Sequence, residues 1–346
     1  MKLEVKHMEK HSSLSNPKTY PSLEVFDARP LKLQDFYAWA QSLDVGSEQT
    51  IETYSKNIRR FVEYLQDNGI TKPTRNDILD YRNWLKETKK QATIHGYMVA
   101  LKLFFRWTED QGIYPNIAKY VKSPSVGFEH RRDPLTVNQI KDILDSIDCS
   151  TTGGMRDFAL ILLMVTTGLR EISVASANVD DIVMRAFDDD STKDTEYKPF
   201  LYYKSKGHAE KDLFVILPAI TKHMIDAYLS MRRADGNMIC AGSPLFASLS
   251  NNNNNGRLTT RSIRRIITTR FQDAELDLSR ISTHSLRHSF ATINLLSGGS
   301  LEETQKALGH RNIETTMIYS HAIIDESNPS TARVADVLFS SPDSKN

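Results

Sequence analysis

The sequence predicts a two-domain, mainly α-helical protein with a small β-hairpin or sheet in the second domain, an α+β arrangement. Apolar residues recur at spacings of three and four along most of the chain, which is typical of amphipathic helices. Only the stretch 200–217 has the two β-rich runs of a hairpin. An aperiodic stretch with two prolines and a glycine then divides the chain near residue 125. A length of 346 residues agrees with about two domains.

The first domain, residues 30–120, is predicted to be a bundle of four helices. Residues 1–29 mix charge, serine and proline without a period, so we expect a flexible arm there. The helices are expected around Leu31 to Leu43, around Ile51 to Leu65 between a Ser47 cap and Gly69, from Asp77 to Lys86, and from Ile94 to Phe105 before Gly112 and Pro115.

The second domain is predicted to span residues 134–325, after a linker at 121–133. Thr136 and Gln139 have the spacing of a capping box, so a helix is expected to begin there. The apolar stretch Met155 to Met164 predicts a buried helix, and the turn Ser205-Lys206-Gly207-His208 connects the two β-rich runs. Helices are expected again from Thr260, and the tail 326–346 contains one further amphipathic segment with Val334, Val337 and Leu338 on one side.

The composition limits the classes of protein that fit. No stretch approaches the roughly 20 apolar residues of a membrane span, and the basic N-terminus is followed by no apolar run of a secretory signal. Two cysteines, Cys149 and Cys240, are too few for a disulfide framework, so we expect a cytoplasmic protein. The 44 basic and 43 acidic residues give a net charge of +1, which taken alone argues against a nucleic-acid partner.

The motifs that carry chemistry lie in the second domain. A P-loop and a Gly-x-Ser-x-Gly elbow are both absent from the sequence. Six residues of types that bind or transfer phosphate stand out instead, and each has an ordinary structural explanation when it is considered alone. They are Arg170 in TTGLR, Lys206 in KSKGH, His284 and Arg287 in HSLRH, His310 in LGHRN, and Tyr319 in TTMIYSH.

Together these six residues suit the transfer of a phosphodiester without a metal or a cofactor. Two guanidiniums can neutralise the charge on a five-coordinate phosphorus, and a tyrosine hydroxyl can attack it to form a covalent phosphotyrosine. A lysine and histidines can move the protons. A zinc site is the alternative, since His284 and His288 are four residues apart on a predicted helix, but the acidic residue of an HExxH pair is missing.

The segments TTGLR, KSKG, THSLRHSFAT and LGHRNIETTMIYSH resemble, in order and approximate spacing, the motifs of the tyrosine recombinases, the integrase and Xer family. The resemblance runs from about Pro30 to His321. It implies a SAM-like core-binding domain followed by a catalytic domain, and strand exchange through a 3'-phosphotyrosine. The implied roles are first arginine for Arg170, hairpin lysine for Lys206, the HxxR pair for His284 and Arg287, second histidine for His310 and nucleophile for Tyr319.

The sequence departs from the family pattern near the first arginine. An acidic residue often stands three positions after that arginine, but this chain has Ser173 there and Glu171 one position after Arg170. Lys204 competes with Lys206 for the role of the hairpin lysine, and we prefer Lys206 because glycine follows it. The bracing of Arg170 therefore has to differ from the common pattern.

We expect double-stranded DNA recombination sites as the partner, bound by four identical copies or by two copies each of this chain and a paralogue. An accessory directionality protein is a further possible partner, and the tail helix is expected to pack on a neighbouring subunit. The candidates for DNA contact are Lys56, Arg59, Arg60, Lys89, Lys90, Thr93, His95, Lys102, Arg106, Arg131, Arg132, Arg261, Arg264 and Arg265.

A site-specific recombinase, and within that class an integrase of a mobile element, is the function that the sequence favours. Xer-type resolution of chromosome dimers and relaxation of the type IB topoisomerase kind are alternatives with the same chemistry. A DNA-binding protein that has lost catalysis and a zinc-dependent hydrolase are alternatives of other classes.

Overall fold

The computed structural model describes residue 31, residues 33–42, 48–124, 132–188, 195–204 and 210–309, and residue 316. These residues form two compact units, of which one ends at residue 124 and the other begins at residue 132. Within the described residues, no helix is long and apolar enough to cross a membrane. The predicted arm at 1–29 and the tail at 326–346 lie outside the described residues.

The first unit is the predicted four-helix bundle. Its core is unusually aromatic, with Trp39, Phe61, Tyr81, Phe104 and Phe105 all fully buried. Their rings meet edge to face or stacked, for example Phe61 and Tyr81 with centroids 5.0 Å apart. The helices are α1 (Leu33–Ser42), α2 (Glu48–Asp67), α3 (Arg75–Thr88) and α4 (Gln91–Asp110).

The chain that follows α4 packs back on the bundle through hydrogen bonds. Arg82 donates to the carbonyl oxygen of Lys122 at 3.0 Å, and a ring nitrogen of His95 lies 3.0 Å from the carbonyl oxygen of Pro124. The Tyr114 hydroxyl donates to the carbonyl oxygen of Pro73 at 2.8 Å. The first residues of the predicted linker therefore belong structurally to the first unit.

The second unit is helical except for one small sheet. Helix α6 forms its centre, because every side chain from Ala159 to Val165 is buried. The elements are α5 (Val137–Asp145), α6 (Thr152–Thr167), α7 (Glu171–Ser176), β1 (Ile182–Asp188), β2 (Thr195–Tyr203), β3 (Leu213–Ile216), α8 (Ala219–Ala234), α9 (Thr260–Asp273), α10 (Thr283–Leu296) and α11 (Leu301–Leu308). The capping box at the start of α5 is formed as predicted, with Gln139 N–H donating to Thr136 Oγ1 at 3.2 Å.

The sheet is antiparallel with strand order β1-β2-β3. The predicted hairpin corresponds to β2 and β3, in which Tyr203 pairs with Leu213. Strand β1 was not predicted, and it places Ile182 opposite Leu201. Val183 and Met184 of β1 are exposed, so this edge strand has no alternation of buried and exposed residues from which it could be recognised.

Polar contacts hold α9 against α6 and attach the first residues of the second unit to the loop before α10. Asp157 is 4% exposed and accepts hydrogen bonds from both Arg156 and Arg270, which joins α6 to α9. Asp133, at the end of the predicted linker, forms an ion pair of 2.7 Å with Arg280 in the loop before α10. Arg132 donates to the carbonyl oxygen of Ser279 in the same loop at 2.9 Å. The entry to the second unit is thus attached next to the start of α10.

Candidate active site

A pocket of about 420 Å³ opens in the second unit where α7, α9 and α10 begin. The first N–H groups of a helix have no partners within it and carry the positive end of its dipole, so the starts of α9 and α10 favour an anion. Arginine and histidine side chains add donors to the same walls. The lining residues are Arg170, Glu171, Ile172, Thr260, Arg264, Ser282, Thr283 and His284. The pocket is suited to a phosphate group.

Gly168 brings Arg170 to this pocket. It ends α6 with a left-handed backbone, φ 64°, which glycine adopts without strain. A Cβ atom at this position would lie 2.7 Å from Cδ1 of Phe290 and 2.8 Å from Cδ2 of Leu308, so glycine is also required by space. Arg170 then forms the N-cap position of α7. The glycine of the TTGLR motif thus directs the chain from the core to the pocket within two residues.

Arg287 connects the ends of two helices. Its side chain is buried, and Nη1 and Nη2 each donate a hydrogen bond of 2.6 Å, to the carbonyl oxygens of Gly168 and Leu308 respectively. The last carbonyl groups of a helix have no partner within it, so one guanidinium supplies donors to both α6 and α11. Gly168 precedes Arg170 by two residues and Leu308 precedes His310 by two. Arg287 therefore holds the segments that lead to two other predicted site residues.

His284 lies in the first turn of α10 and lines the pocket. The surrounding protein lowers its pKa to about 4, through partial loss of solvent first and then through the positive charges of Arg287 and Arg170, although the residue as a whole is exposed. Near neutral pH the ring is consequently uncharged, and it can donate or accept one hydrogen bond at each nitrogen. Arg170 and His284 line the same pocket, and Arg287, one turn after His284 on α10, binds the carbonyl oxygen of Gly168, so the fold brings these three predicted residues together.

Two contacts show how the region after Arg170 differs from the common family pattern. Glu171 binds Arg264 of α9, with Oε2 2.6 Å from Nε, rather than an arginine of its own segment. Ser173 is buried and its hydroxyl donates to the carbonyl oxygen of Lys204 at 3.1 Å. This bond ties α7 to the end of β2, two residues before Lys206.

Four of the predicted residues, Lys206, His310, Tyr319 and Arg131, lie outside the described residues. The described residues beside two of them are close in space. The Tyr203 hydroxyl lies 3.6 Å from the position that a Cβ would take at Gly309, so the end of β2 reaches the end of α11. The described segments that end shortly before Lys206 and His310 therefore lie close to each other.

Tyr203 is a residue of this region that the sequence analysis did not single out. It is buried, and burial raises the pKa of its hydroxyl while the charges of Arg287 and Arg170 lower it. The hydroxyl is consequently protonated at neutral pH and able to donate. The sequence indicated only that Tyr203 is the last residue of a predicted strand. That position does not indicate that Tyr203 lies near Arg170 and Arg287.

The candidates for DNA contact differ in how freely they can bind. Arg60 forms an ion pair with Glu63 at 3.0 Å and lies over the ring of Trp84, and Arg132 is hydrogen-bonded to Ser279 in the loop before α10. The ring of His95 is engaged by Pro124. The remaining candidates of the first unit are exposed or half-buried on α2, around the start of α4 and along α4, and those of the second unit are exposed on α9. They are Lys56, Arg59, Lys89, Lys90, Thr93, Lys102, Arg106, Arg261 and Arg265, together with Arg264, whose Nε is paired with Glu171.

The histidine pair proposed as an alternative zinc site has a different arrangement. The rings of His284 and His288 pack edge to face with centroids 4.7 Å apart. In the part of the chain that the structure describes, no three histidine, cysteine, aspartate or glutamate side chains are grouped so that they could hold a metal ion.

Sequence models of known families match both units. The model described as "Phage integrase, N-terminal SAM-like domain" matches residues 33–112, and that described as "Phage integrase family" matches residues 134–325, more than half of the chain. The chain belongs to the phage integrase family. The resemblance found in the sequence motifs is confirmed, including the SAM-like domain at the N-terminal side.

Relatives of this integrase-family chain are similar over most of their length. Tyrosine recombinase XerC of Herpetosiphon aurantiacus is 27% identical over 324 residues, which cover 89% of this chain and 99% of that protein. Tyrosine recombinase XerD of Listeria monocytogenes is 26% identical over 80% of this chain and 88% of its own. Family and relatives confirm the prediction of a tyrosine-type site-specific recombinase.

Solved structures share the fold at lower identity. XerH site-specific recombinase bound to a palindromic difH substrate superposes with a TM-score of 0.64 at 20% identity, covering 83% of this chain and 79% of that one. A lambda integrase tetramer bound to a Holliday junction gives a TM-score of 0.61 at 17% identity, covering 84% and 77%. The Tn1549 transposon integrase with circular intermediate DNA gives 0.60 at 17% identity, covering 83% and 94%. The predicted fold class is confirmed.

Proposed function

We propose that this integrase-family protein cuts and rejoins DNA at specific sites through a covalent 3'-phosphotyrosine formed by Tyr319. The observation that carries the proposal is that Arg170 and His284 line one pocket at the beginnings of helices, next to Arg287, which binds the carbonyl oxygen of Gly168. A phosphodiester group is the natural anion for such a pocket, because it offers two non-bridging oxygens to forked donors.

The reaction needs no external source of energy. The Tyr319 oxygen attacks phosphorus after losing its proton, the bond from phosphorus to the 5'-oxygen breaks, and Lys206 donates the proton that the departing oxygen takes up. Arg170 and Arg287 stabilise the charge of the five-coordinate phosphorus, and His284 and His310 assist through hydrogen bonds or proton transfer. The 5'-hydroxyl of a partner strand then attacks the phosphotyrosine and releases Tyr319.

We assign DNA binding to residues 30–120 and catalysis to residues 134–325, joined by residues 121–133. The two family matches, at 33–112 and 134–325, support this division. We further propose that four copies act on two DNA sites in the cytoplasm. Related proteins captured on DNA, including a lambda integrase tetramer on a Holliday junction, support DNA as the partner and four as the number of subunits.

Integration of a mobile element is the biological role that we propose, with an accessory protein setting its direction. The similarity to a transposon integrase supports it, and the similarity to XerC and XerD supports the second candidate, resolution of chromosome dimers. Genes of a mobile element on either side of the coding sequence would favour the first role, and an isolated chromosomal locus would favour the second.

A nicked duplex that loses a short 5' fragment after cleavage tests the chemistry, because the fragment diffuses away and traps the covalent complex. We expect the wild-type protein to form the complex in the presence of EDTA. Loss of the complex on addition of EDTA would contradict the metal-free mechanism. Sequence-specific binding without any complex would favour the inactive DNA-binding alternative.

A further inference from the structure

Glu171 holds Arg264 by one edge. Glu171 Oε2 accepts from Nε of Arg264 at 2.6 Å, and the two residues are 93 positions apart in the chain. The carboxylate side chain is 16% exposed, whereas that of the arginine is 63% exposed. Within the described residues, Nη1 and Nη2 of Arg264 form no hydrogen bond. The pair therefore presents a forked donor of fixed orientation at the rim of the pocket.

This arrangement suits a base edge better than a phosphate. The carboxylate of Glu171 neutralises the charge of Arg264, so the pair adds little to the attraction for DNA as a polyanion, and a carboxylate next to a phosphate is repelled by it. Glu171 nevertheless still orients the guanidinium of Arg264. Two parallel N–H donors match O6 and N7 of guanine in the major groove, and a fixed guanidinium loses less entropy when it binds them.

The position of the pair places its target next to the point of cleavage. Arg264 and Glu171 line the same pocket as Arg170 and His284, and Glu171 directly follows Arg170 in the chain. A DNA strand whose phosphate lies between Arg170 and His284 would bring an adjacent base pair to the exposed side of α9. Arg261 and Arg265 extend the basic surface of α9 without any ion pair among the described residues.

We propose that Arg264 is a specificity-determining residue that recognises a guanine beside the cleaved phosphate, and that Glu171 is its positioning residue. The proposal rests on the proposed function, since it takes DNA as the substrate. It adds a source of sequence preference that lies in the second domain and is coupled directly to the segment of Arg170.

Selection from a library of nicked duplexes with random bases around the nick tests the proposal. The duplexes that form the covalent complex are sequenced for the wild-type protein and for Arg264→Ala, Glu171→Gln and Arg265→Ala. We expect the wild type to prefer guanine at one position by about tenfold or more. Arg264→Ala should lose that preference and keep the others, and Glu171→Gln should weaken it. Arg265→Ala, the matched control on the same helix, should keep it.

The salt dependence of binding to one selected duplex separates the two kinds of contact. Replacement of a phosphate-binding arginine lowers the slope of log K against log salt by about one, whereas loss of a base contact leaves the slope nearly unchanged. An unchanged base preference in Arg264→Ala would overturn the proposal. So would an equal loss of binding for all sequences together with a lower slope of log K against log salt. Complete absence of the covalent complex in the wild type would instead refute the proposed function.

Discussion

Arg287 forms a hydrogen bond of 2.6 Å with the carbonyl oxygen of Gly168, 119 residues earlier in the chain. The same guanidinium binds the carbonyl oxygen of Leu308. A predicted phosphate-binding arginine is therefore also the connection between two helix ends that precede Arg170 and His310.

Replacing Arg287 should lower both stability and activity. In Arg287→Ala two buried carbonyl groups lose their partner, at about 1–3 kcal/mol each, so we expect the free energy of unfolding to fall by about 2–5 kcal/mol. Formation of the covalent complex should fall by about 100-fold or more, since a donor to the developing charge is lost. Denaturant unfolding and the nicked-duplex assay measure the two effects.

Arg257→Ala is the matched control for Arg287→Ala. Arg257 also donates to two carbonyl oxygens, those of Ala175 and Ala177, and in addition to Oδ1 of Asn178, but it is exposed and is not a predicted site residue. Water can replace its donors, so we expect a loss of about 1 kcal/mol and normal cleavage. Cleavage that falls equally in both variants would show that Arg287 acts on stability alone.

Gly168→Ala should displace Arg170. The substitution places a Cβ in a left-handed conformation and within 2.8 Å of carbon atoms of Phe290 and Leu308. The conformation costs about 1–2 kcal/mol and the crowding adds about 1–3 kcal/mol. Gly112→Ala, at φ 63° with no atom within 4 Å of the added Cβ, isolates the conformational part. Equal losses in thermal stability for the two variants would contradict the packing described around Gly168.

His284 should make stability depend on pH. Its pKa is about 4 in the folded protein, against an ordinary value of 6.5 that applies when the chain is unfolded. Between these values the unfolded chain binds a proton that the folded protein does not, so stability rises with pH from 4 to 6.5 and is constant above that range. In denaturant titrations we expect His284→Gln to flatten this rise. His223→Gln, which removes an exposed histidine on α8, is the control, and an unchanged rise in His284→Gln would be evidence against a lowered pKa.

Asp157 should contribute to the stability of the second unit and not to its chemistry. Removal of its buried carboxylate in Asp157→Ala leaves Arg156 and Arg270 without their common partner, which should cost about 3–5 kcal/mol. Asp226→Ala breaks an exposed pair with Lys222 and should cost less than about 1 kcal/mol. Calorimetry distinguishes these outcomes, and similar losses in the two variants would count against a special role for the buried network.

Local patterns were sufficient to predict much of the fold. The capping box of Thr136 and Gln139 and the pairing of β2 with β3 involve residues close in sequence, so their signals are complete in a short window. Strand β1 was not predicted, because Val183 and Met184 are both exposed and give no alternation of buried and exposed residues. The strand is held by its pairing with β2.

The bonding of the site could not be predicted, although its residue types could. Arg287 binds carbonyl groups of residues 168 and 308, and Glu171 binds Arg264, so each contact depends on tertiary packing that no sequence spacing encodes. The nearly neutral total charge likewise does not show where the charged residues lie in the fold. Taken alone, this total argued against DNA, whereas Arg170, Arg264 and His284 line one pocket and, among the described residues, acidic partners neutralise only some of the exposed arginines.

The identity of the nucleophile tests the central claim most directly. A nicked duplex selected by the wild-type protein is incubated with wild type and with Tyr319→Phe, and the covalent complex is separated by denaturing electrophoresis and digested for mass spectrometry. We predict that the wild-type adduct is a nucleotide on the peptide containing Tyr319, and that Tyr319→Phe binds the same duplex but forms no adduct. An adduct in Tyr319→Phe, or on any other residue of the wild type, would contradict the account.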